Sequence, residues 1–269
     1  MSKLKNLGVL GYGNMGSAIV RGVIDAKLLN KTQIFVFDPF PPTVESLMSD
    51  GFAAALYHLG AYEYSDVIVL AIKPQVFKTQ SFADLSIYEG LHKTIISVMA
   101  GIRTGQIREV FPKSFTVIRV MPNLSLSVGE GATAIATDGL SEDSILLAEK
   151  IFQSSGQTVR VTEEQMDAVT GVSGSGPMYV FEFIEALTQA GIKSGLSREV
   201  AYRLAIQTAK GSLKLLETST DEPSVWSARV RSPGGTTAEA QKVLEQGGFQ
   251  ELMIHAVEAA VKRSKELSN

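Results

Sequence analysis

Three glycines near the start of the chain have the spacing of a phosphate-binding turn. Gly11, Gly13 and Gly16 follow a short apolar run, residues 7–10, and precede apolar residues at helical spacing. In such a turn the first glycine permits the bend, the second lets the backbone approach a diphosphate, and the third lets helix and strand pack closely. This order predicts a dinucleotide site, with a glycine turn that binds nothing as the alternative. The residues predicted to hold the diphosphate are Gly11, Gly13, Asn14, Met15 and Gly16.

An acidic residue, Asp38, ends the second predicted strand, about twenty residues after the glycines, which is the usual position of a ribose-binding acid. An acid here accepts hydrogen bonds from the adenosine ribose of NAD and repels the 2′-phosphate of NADP. Pro39, Pro41 and Pro42 follow at once, so the alternative is an acid that only begins a turn. Both interpretations stay open, and with them the choice between NADH and NADPH.

Two further loops follow predicted strands, one after the apolar run 67–72 and the other after the run 116–120. Parallel strands end at one edge of their sheet, and dinucleotides bind outside that edge. Ordinary turns are the alternative, since proline and asparagine are common turn residues. The residues predicted to line the cofactor groove are Ala71, Lys73, Pro74, Met121, Pro122 and Asn123.

Two glycine-rich stretches in the second half of the chain, residues 172–177 and 230–237, each precede a predicted helix. Gly234 and Gly235 stand directly before a helix start, where free backbone N–H groups suit a carboxylate. Thr237 adds a neutral hydroxyl on the first helical turn. The stretch therefore predicts a small-anion site, and a plain linker between two helices is the alternative.

Composition excludes several other classes of function. The 269-residue chain has a net charge of −3 and no long basic run, which argues against nucleic acid as its main partner. Cysteine is absent and the three histidines stand far apart, so no metal site is predicted. No apolar run reaches the length of a membrane span, and the short N-terminal run does not resemble a signal peptide. We therefore expect a cytoplasmic protein.

The second half of the chain also lacks a candidate general base, because no lysine follows the stretch 173–177 until Lys193. A dehydrogenase that oxidises an alcohol usually needs a base to remove the proton. Reduction of an imine needs less, since hydride goes to carbon and the nitrogen can already carry its proton. The residues therefore favour an imine reductase over a β-hydroxyacid dehydrogenase, and a dinucleotide sensor without turnover is the alternative from another class.

The elements that position these groups change character near Val161. Before it, continuous apolar runs alternate with helical stretches, which predicts a doubly wound, mostly parallel sheet with helices on both faces. Beyond it strand signals disappear, and residues 162–165 have capping-box spacing. We expect an α/β Rossmann domain over residues 1–161 and an all-helical domain over residues 162–269. Long helices of the second domain are predicted to begin near Pro177, Ser197, Thr237 and Phe249.

The helix after Pro177 is unusually apolar. Glu182, Glu185 and Gln189 form one polar stripe, and nearly every other position is apolar. Such a wide apolar surface needs more than one neighbour, and a domain of roughly a hundred residues supplies only part of that cover. A homodimer or larger homo-oligomer is therefore expected, with cover by the first domain as the alternative.

Taken together, these segments resemble the pyrroline-5-carboxylate reductase family. The matching stretches occur in the family's order and span nearly the whole chain, and the last two together are highly specific. They are residues 11–16 (GYGNMG), 71–75 (AIKPQ), 100–102 (AGI), 119–123 (RVMPN), 129–133 (GEGAT), 171–177 (GVSGSGP) and 232–237 (SPGGTT). The resemblance implies a Rossmann domain and a helical dimerisation domain, with dimers that often assemble further to decamers.

The resemblance also implies the reaction, reduction of 1-pyrroline-5-carboxylate to L-proline with NADPH or NADH, in an active site formed between two subunits. The loop 230–237 would hold the substrate carboxylate on its N–H groups, here those of Gly234, Gly235 and Thr236. The hydroxyl of Thr237, the implied catalytic residue, would hydrogen-bond the ring nitrogen. Arg229 and Arg231 depart from the family pattern and add positive charge near this loop. The implied substrate-binding residues are Val230, Ser232, Gly234, Gly235, Thr236 and Ser175.

Overall fold

The computed structural model describes residues 4–54, 58–79 and 83–268, and the chain divides into two compact units. The first unit runs to Ser175 and also includes the end of the last helix, from Ala259 onward. The second unit comprises residues 176–258. The chain therefore leaves the first unit once and returns to it through its final helix.

An eight-stranded sheet, counted over the described residues, forms the centre of the first unit. Its strands are β1 Leu7–Leu10, β2 Ile34–Phe37, β3 Ala53–Ala54, β4 Val67–Leu70, β5 Thr94–Ser97, β6 Thr116–Met121, β7 Gly131–Ala136 and β8 Gly156–Val161. They lie in the order β3-β2-β1-β4-β5-β6-β7-β8, and β6 and β7 form the antiparallel pair. The order reverses between β1 and β4, which is the switch point where doubly wound sheets bind dinucleotides.

Helices cover both faces of this sheet, so β1 and β4 are buried along their whole length. On one face Ile19 and Val23 pack with Phe152 in the first core, and on the other face Tyr62 and Phe111 belong to the second core. The helices of this unit are α1 Asn14–Asp25, α2 Pro41–Ser49, α3 His58–Glu63, α4 Pro74–Thr79, α5 Thr104–Arg108, α6 Glu142–Phe152 and α7 Met166–Val169.

A buried ion pair joins β6 to the segment that follows the sheet. Arg119 is only 3% exposed, and its Nη1 donates to Oε1 of Glu163 at 2.9 Å. The same carboxylate accepts hydrogen bonds from the backbone N and the Oγ1 of Thr104 at 3.1 and 2.7 Å, at the start of α5. Glu163 therefore neutralises a buried guanidinium and satisfies a helix N-terminus together.

We predict that Glu163→Ala destabilises the protein by about 3 kcal/mol or more, because it leaves the Arg119 charge buried without its partner. Glu164→Ala is the matched control, since the neighbouring Glu164 side chain is exposed and its loss is expected to cost less than about 0.5 kcal/mol. Chemical denaturation would measure both. Equal midpoints for the two variants would contradict the structural role of Glu163.

The second unit is helical throughout, and α8 and α9 pack as an antiparallel pair joined by a short turn. At their contact a Cβ on Gly191 would lie 2.8 Å from Cβ of Ala201, so the close approach requires glycine. Ser197 caps α9, its Oγ accepting a hydrogen bond from the N–H of Val200 at 3.3 Å. The helices are α8 Gly176–Lys193, α9 Arg198–Glu217, α10 Pro223–Arg229, α11 Thr236–Gln246 and α12 Phe249–Leu267.

The apolar sides of these helices remain open in the single chain. On α8, Phe181 is 61% exposed, and Met178 and Phe183 are about half exposed. Single exposed apolar residues are ordinary, but several large ones exposed on one helix favour an interaction surface. The expectation that a partner subunit covers α8 is therefore supported by the exposure of these side chains as well as by periodicity.

The last turns of α12 belong to the first unit and contact its other elements. Ser264 Oγ donates to the buried carboxylate of Asp167 at 2.6 Å. Gly101 adopts a φ of +72°, and a Cβ there would lie 2.7 Å from Cβ of Leu267. Lys78 Nζ donates to the carbonyl of Leu267 at 3.3 Å, which satisfies one of the free carbonyls of a helix C-terminus. A glycine and two polar side chains distant in sequence, those of Asp167 and Lys78, thus hold the last turns of α12.

The predicted fold class is confirmed: a mostly parallel Rossmann-like sheet is followed by an all-helical region. The helix predicted from Phe249 to about Leu267 is found at those residues, whereas the capping box at Thr162 opens a 3₁₀ turn that leads into α7. Helix α10 was not predicted from the sequence. The compact units divide after Ser175, beyond the end of β8. Met166 of α7 still packs on Ala134 and Ala136 of β7. The proposed domain boundary after Val161 stays a prediction. No helix among the described residues has the length and apolarity needed to cross a membrane.

Candidate active site

The glycine turn between β1 and α1 is held by close backbone packing. Gly11 has a φ of +93°, and a Cβ there would lie 2.6 Å from the carbonyl oxygen of Ala71. A Cβ on Gly16 would overlap the carbonyl oxygen of Gly11. Side chains at these two positions would force the turn apart, so both glycines serve the roles that the motif predicts.

Gly13 is different, because a Cβ there would meet no described atom within 4 Å. It is the N-cap residue of α1, where the N–H groups of the first turn have no partner within the helix. Open space in front of a helix N-terminus suits a phosphate group, which these N–H groups and the helix dipole would bind. The residues present therefore fit a diphosphate, with Gly13, Asn14 and Met15 nearest to it.

The carboxylate of Asp38 is turned toward the glycine turn. Its Oδ2 accepts a hydrogen bond from the backbone N of Tyr12 at 2.8 Å, and its Oδ1 accepts one from the N of Phe40 at 3.0 Å. A carboxylate has about four acceptor positions, so these two bonds leave room for a further donor such as a ribose hydroxyl. Asp38 therefore both begins a turn and presents a fixed negative charge beside the turn. Burial raises the pKa of the neighbouring Tyr12 phenol above its usual value.

The loops after β4 and β6 lie at the carboxyl edge of the sheet, as predicted. The N–H of Ala71 donates to the carbonyl of Leu10 at 2.8 Å, so this strand end is fixed to β1. Pro74 opens α4, and the side chain of Lys73 just before it is exposed. These positions allow Lys73 to reach an anionic ligand outside the sheet.

The loop after β6 is more rigid. Pro122 is buried, and Asn123 Oδ1 accepts a hydrogen bond from the N of Ala132 at 3.2 Å. Met121 lies against Gly174, where a Cβ would lie 2.6 Å from the Met121 methyl group. The predicted groove residues of this loop thus have packing and turn roles that would also hold them in position for a cofactor.

The anion-binding stretch of the second unit forms a turn and then α11. Gly234 has a φ of +66°, and the N–H of Gly235 donates to the carbonyl of Ser232 at 3.0 Å. One of the three predicted carboxylate donors is therefore occupied within the turn. Among the described residues, none accepts a hydrogen bond from the N–H of Gly234, Thr236 or Thr237. The Thr237 N–H was missed by the motif comparison, although any helix start leaves such donors free.

The arginines beside this turn are engaged by neighbouring side chains. Arg229 forms an ion pair with Asp221 at 2.6 Å and lies over the ring of Trp226 at 4.7 Å. Arg231 Nη1 donates to Oε1 of Gln241 at 3.0 Å. The residues from Arg231 to Gly234 and both threonines are exposed in the single chain, as is Val230. The turn thus offers free N–H groups to an anion while one nearby cation is neutralised by a carboxylate.

Ser175 lies at the end of the first unit, in a segment where the helical hydrogen bonding changes. Residues 170–174 form a π-helical turn, which the N–H of Ser175 closes by donating to the carbonyl of Thr170 at 2.9 Å. Such turns are common at functional sites. The predicted glycine-rich stretch 172–177 therefore lies where an irregular helical turn leads into α8.

Comparisons with known proteins identify the family of this chain. Residues 163–267 match the family model for pyrroline-5-carboxylate reductase dimerisation, and residues 6–101 match the model for NADP oxidoreductase, coenzyme F420-dependent. The chain is 39% identical to a pyrroline-5-carboxylate reductase from Synechocystis over 97% of both chains, and 33% identical to the one from Escherichia coli over 98% of both. The chain belongs to the pyrroline-5-carboxylate reductase family.

Solved structures agree with this assignment. A pyrroline-5-carboxylate reductase from Coxiella burnetii is 33% identical and superimposes with a TM-score of 0.91 over 99% of both chains. A Plasmodium falciparum pyrroline carboxylate reductase, solved with NADP bound, is 31% identical, with a TM-score of 0.88 over the full length of both. The resemblance inferred from the motifs is thus confirmed, as is the predicted enzyme class, a nicotinamide-dependent oxidoreductase of proline biosynthesis. The match to a dimerisation family supports the expected homo-oligomer.

Proposed function

We propose that this chain reduces 1-pyrroline-5-carboxylate to L-proline, with NADH or NADPH as the reductant. The observation that carries the proposal is the set of exposed, free N–H groups at the start of α11 in a chain of this reductase family. A small cyclic acid needs a carboxylate site of this kind, and a glycine turn allows close approach to the backbone.

In the proposed mechanism the chain supplies position rather than a strong acid or base. The N–H groups of Gly234 and Thr236 hold the carboxylate, and the Thr237 hydroxyl orients the ring nitrogen. The glycine turn at Gly13 holds the diphosphate of the cofactor, which supplies a hydride when bound. The protonated imine gains that hydride at its carbon and keeps its proton on the nitrogen, so neither a general base nor a further proton donor is required. Positioning of two reactants alone can lower a barrier by several kcal/mol, roughly 7–11 in the best cases.

A direct assay tests the proposal. The purified chain is mixed with pyrroline-5-carboxylate and reduced cofactor, and dinucleotide oxidation and proline formation are both followed. Equal rates of the two are expected. Dinucleotide binding without turnover would contradict the proposal and would favour a sensor, whereas oxidation of a β-hydroxyacid would favour the other dehydrogenase class.

We expect NADH to be preferred over NADPH by about tenfold in kcat/KM, which corresponds to about 1.4 kcal/mol of repulsion between Asp38 and a 2′-phosphate. The fixed carboxylate of Asp38 faces the glycine turn, and residues 39–43, which follow it into the first turn of α2, contain no cation to offset it. Steady-state rates with both cofactors would measure the ratio.

The variant Asp38→Ser is expected to reduce this preference, because serine keeps a hydrogen-bonding group and removes the charge. Glu45→Ser is the matched control: Glu45 is an exposed acid on α2, and its removal is expected to leave the ratio unchanged. An unchanged ratio in Asp38→Ser would show that Asp38 serves only the turn.

The assembly beyond a dimer also belongs to this proposal. Mass measurement in solution would count the subunits of the assembly, and a decamer is the higher assembly that the family resemblance favours. The cytoplasmic location stays a prediction.

A further inference from the structure

One face of the strand pair β7–β8 lacks the cover that the rest of the sheet has. On the first face, Ile135 lies in the core with α1 and α6. On the second face, Met166 of α7 is buried with Ala134 and Ala136, and Met121, Val161 and Val169 pack against them only partly buried. Since sheets of this kind are covered by other elements on both faces, an open face at this end requires an explanation.

A groove of about 410 Å³ occupies the open part of this second face. It lies between the strands and the segment 165–173, and its apolar wall includes Ala132, Val159, Val161, Val169 and Val172. Val159 on β8 is 58% exposed and Val172 is 62% exposed, although valine on a sheet is normally at least half buried. No lining residue carries a charge. The occupant that suits this groove is therefore apolar.

The position of the groove in the chain indicates which molecule covers it. Its strand wall belongs to the first unit, and its other wall, residues 165–173, lies within the segment 163–267 that matches the dimerisation family. The groove is thus continuous in sequence with the part of the chain that forms the homodimer. We propose that a second copy of this chain packs an apolar segment into this groove, so that the dimer interface extends onto β7 and β8.

The proposal goes beyond the proposed function, because it concerns assembly and makes no use of the substrate or the cofactor. Its tests measure assembly and labelling without turnover, so its failure is distinguishable from a failure of the predicted activity.

The absence of cysteine makes a direct test possible, because one introduced cysteine is the only thiol in the protein. In the assembled full-length protein, Val159→Cys is expected to react with a maleimide at least tenfold more slowly than Glu109→Cys. Glu109 is an exposed residue of the first unit that does not line the groove, so it serves as the control. Equal labelling rates would overturn the proposal.

A second variant distinguishes a groove filled by a second copy from a groove filled by another part of the same chain. Val159→Asp places a charge in the groove, and it is expected to raise the dissociation constant of the dimer at least tenfold in sedimentation velocity, because a buried unpaired charge is costly. Glu109→Lys controls for a change of charge elsewhere and is expected to leave dimerisation unchanged. A folded Val159→Asp protein, judged by circular dichroism, that dimerises as tightly as the wild type would overturn the proposal.

Discussion

Replacing Gly13 by valine is expected to weaken dinucleotide binding by roughly a hundredfold or more, since two charge-assisted hydrogen bonds of about 1.5–3 kcal/mol each would be lost. The branched side chain would fill the open space in front of α1, where the diphosphate is expected to lie. Titration of the protein with NADH, followed by fluorescence or calorimetry, would measure the effect.

The fold itself should tolerate this change. No described atom lies within 4 Å of a Cβ at Gly13, and its φ of −71° suits any residue, so the loss of stability is expected to be about 1 kcal/mol or less. Gly105→Val is the matched control, because a Cβ there also meets open space, on another helix. Normal cofactor affinity in Gly13→Val would show that the diphosphate binds elsewhere.

Thr237→Ala is expected to lower kcat by about a hundredfold, the usual cost of removing one hydrogen-bonding group from a reaction centre. The variant keeps the backbone N–H groups of the turn, so the carboxylate site stays intact. Affinity for the dinucleotide, which binds the first unit in the proposed mechanism, should be nearly unchanged. Steady-state kinetics together with a cofactor titration would separate these effects.

Two variants at the same turn test the role of the hydroxyl. Thr237→Ser retains an O–H group and should keep most of the activity, whereas Thr236→Ala removes a hydroxyl with no assigned role and should resemble the wild type. If Thr236→Ala lost as much activity as Thr237→Ala, the assignment of the catalytic hydroxyl to Thr237 would be wrong.

Most of the sheet was predictable because its signals are local. The apolar runs 7–10, 67–72 and 116–120 identified β1, β4 and β6, and their ends differ from prediction by at most two residues. The apolar run 67–72 ends as a strand at Leu70, since the N–H of Ala71 already turns to the carbonyl of Leu10. The short helix α10 was not predicted, because a single turn or two carries too little periodicity to be distinguished from a loop.

The candidate site was only partly predictable, because motif spacing does not show which hydrogen bonds form within a turn. The family resemblance implied N–H donors from Gly234, Gly235 and Thr236. The structure uses the N–H of Gly235 within the turn and leaves that of Thr237 free instead. For Asp38, spacing left two roles open. Its bonds from the N–H of Tyr12 and Phe40 give it a role in the turn, and ribose binding stays a prediction.

Residue types and their spacing along the chain were enough to recognise a glycine turn after a strand, an all-helical second half and the motifs of a reductase family. Each of these depends on neighbours within a few residues, where backbone sterics and helical or strand period dominate. The pairing of Arg119 with Glu163, and the seat of Leu267 on Gly101, join residues far apart in the chain. Such contacts depend on how whole elements pack. Only the folded molecule therefore shows that Gly101, in the motif at residues 100–102, leaves room for Leu267.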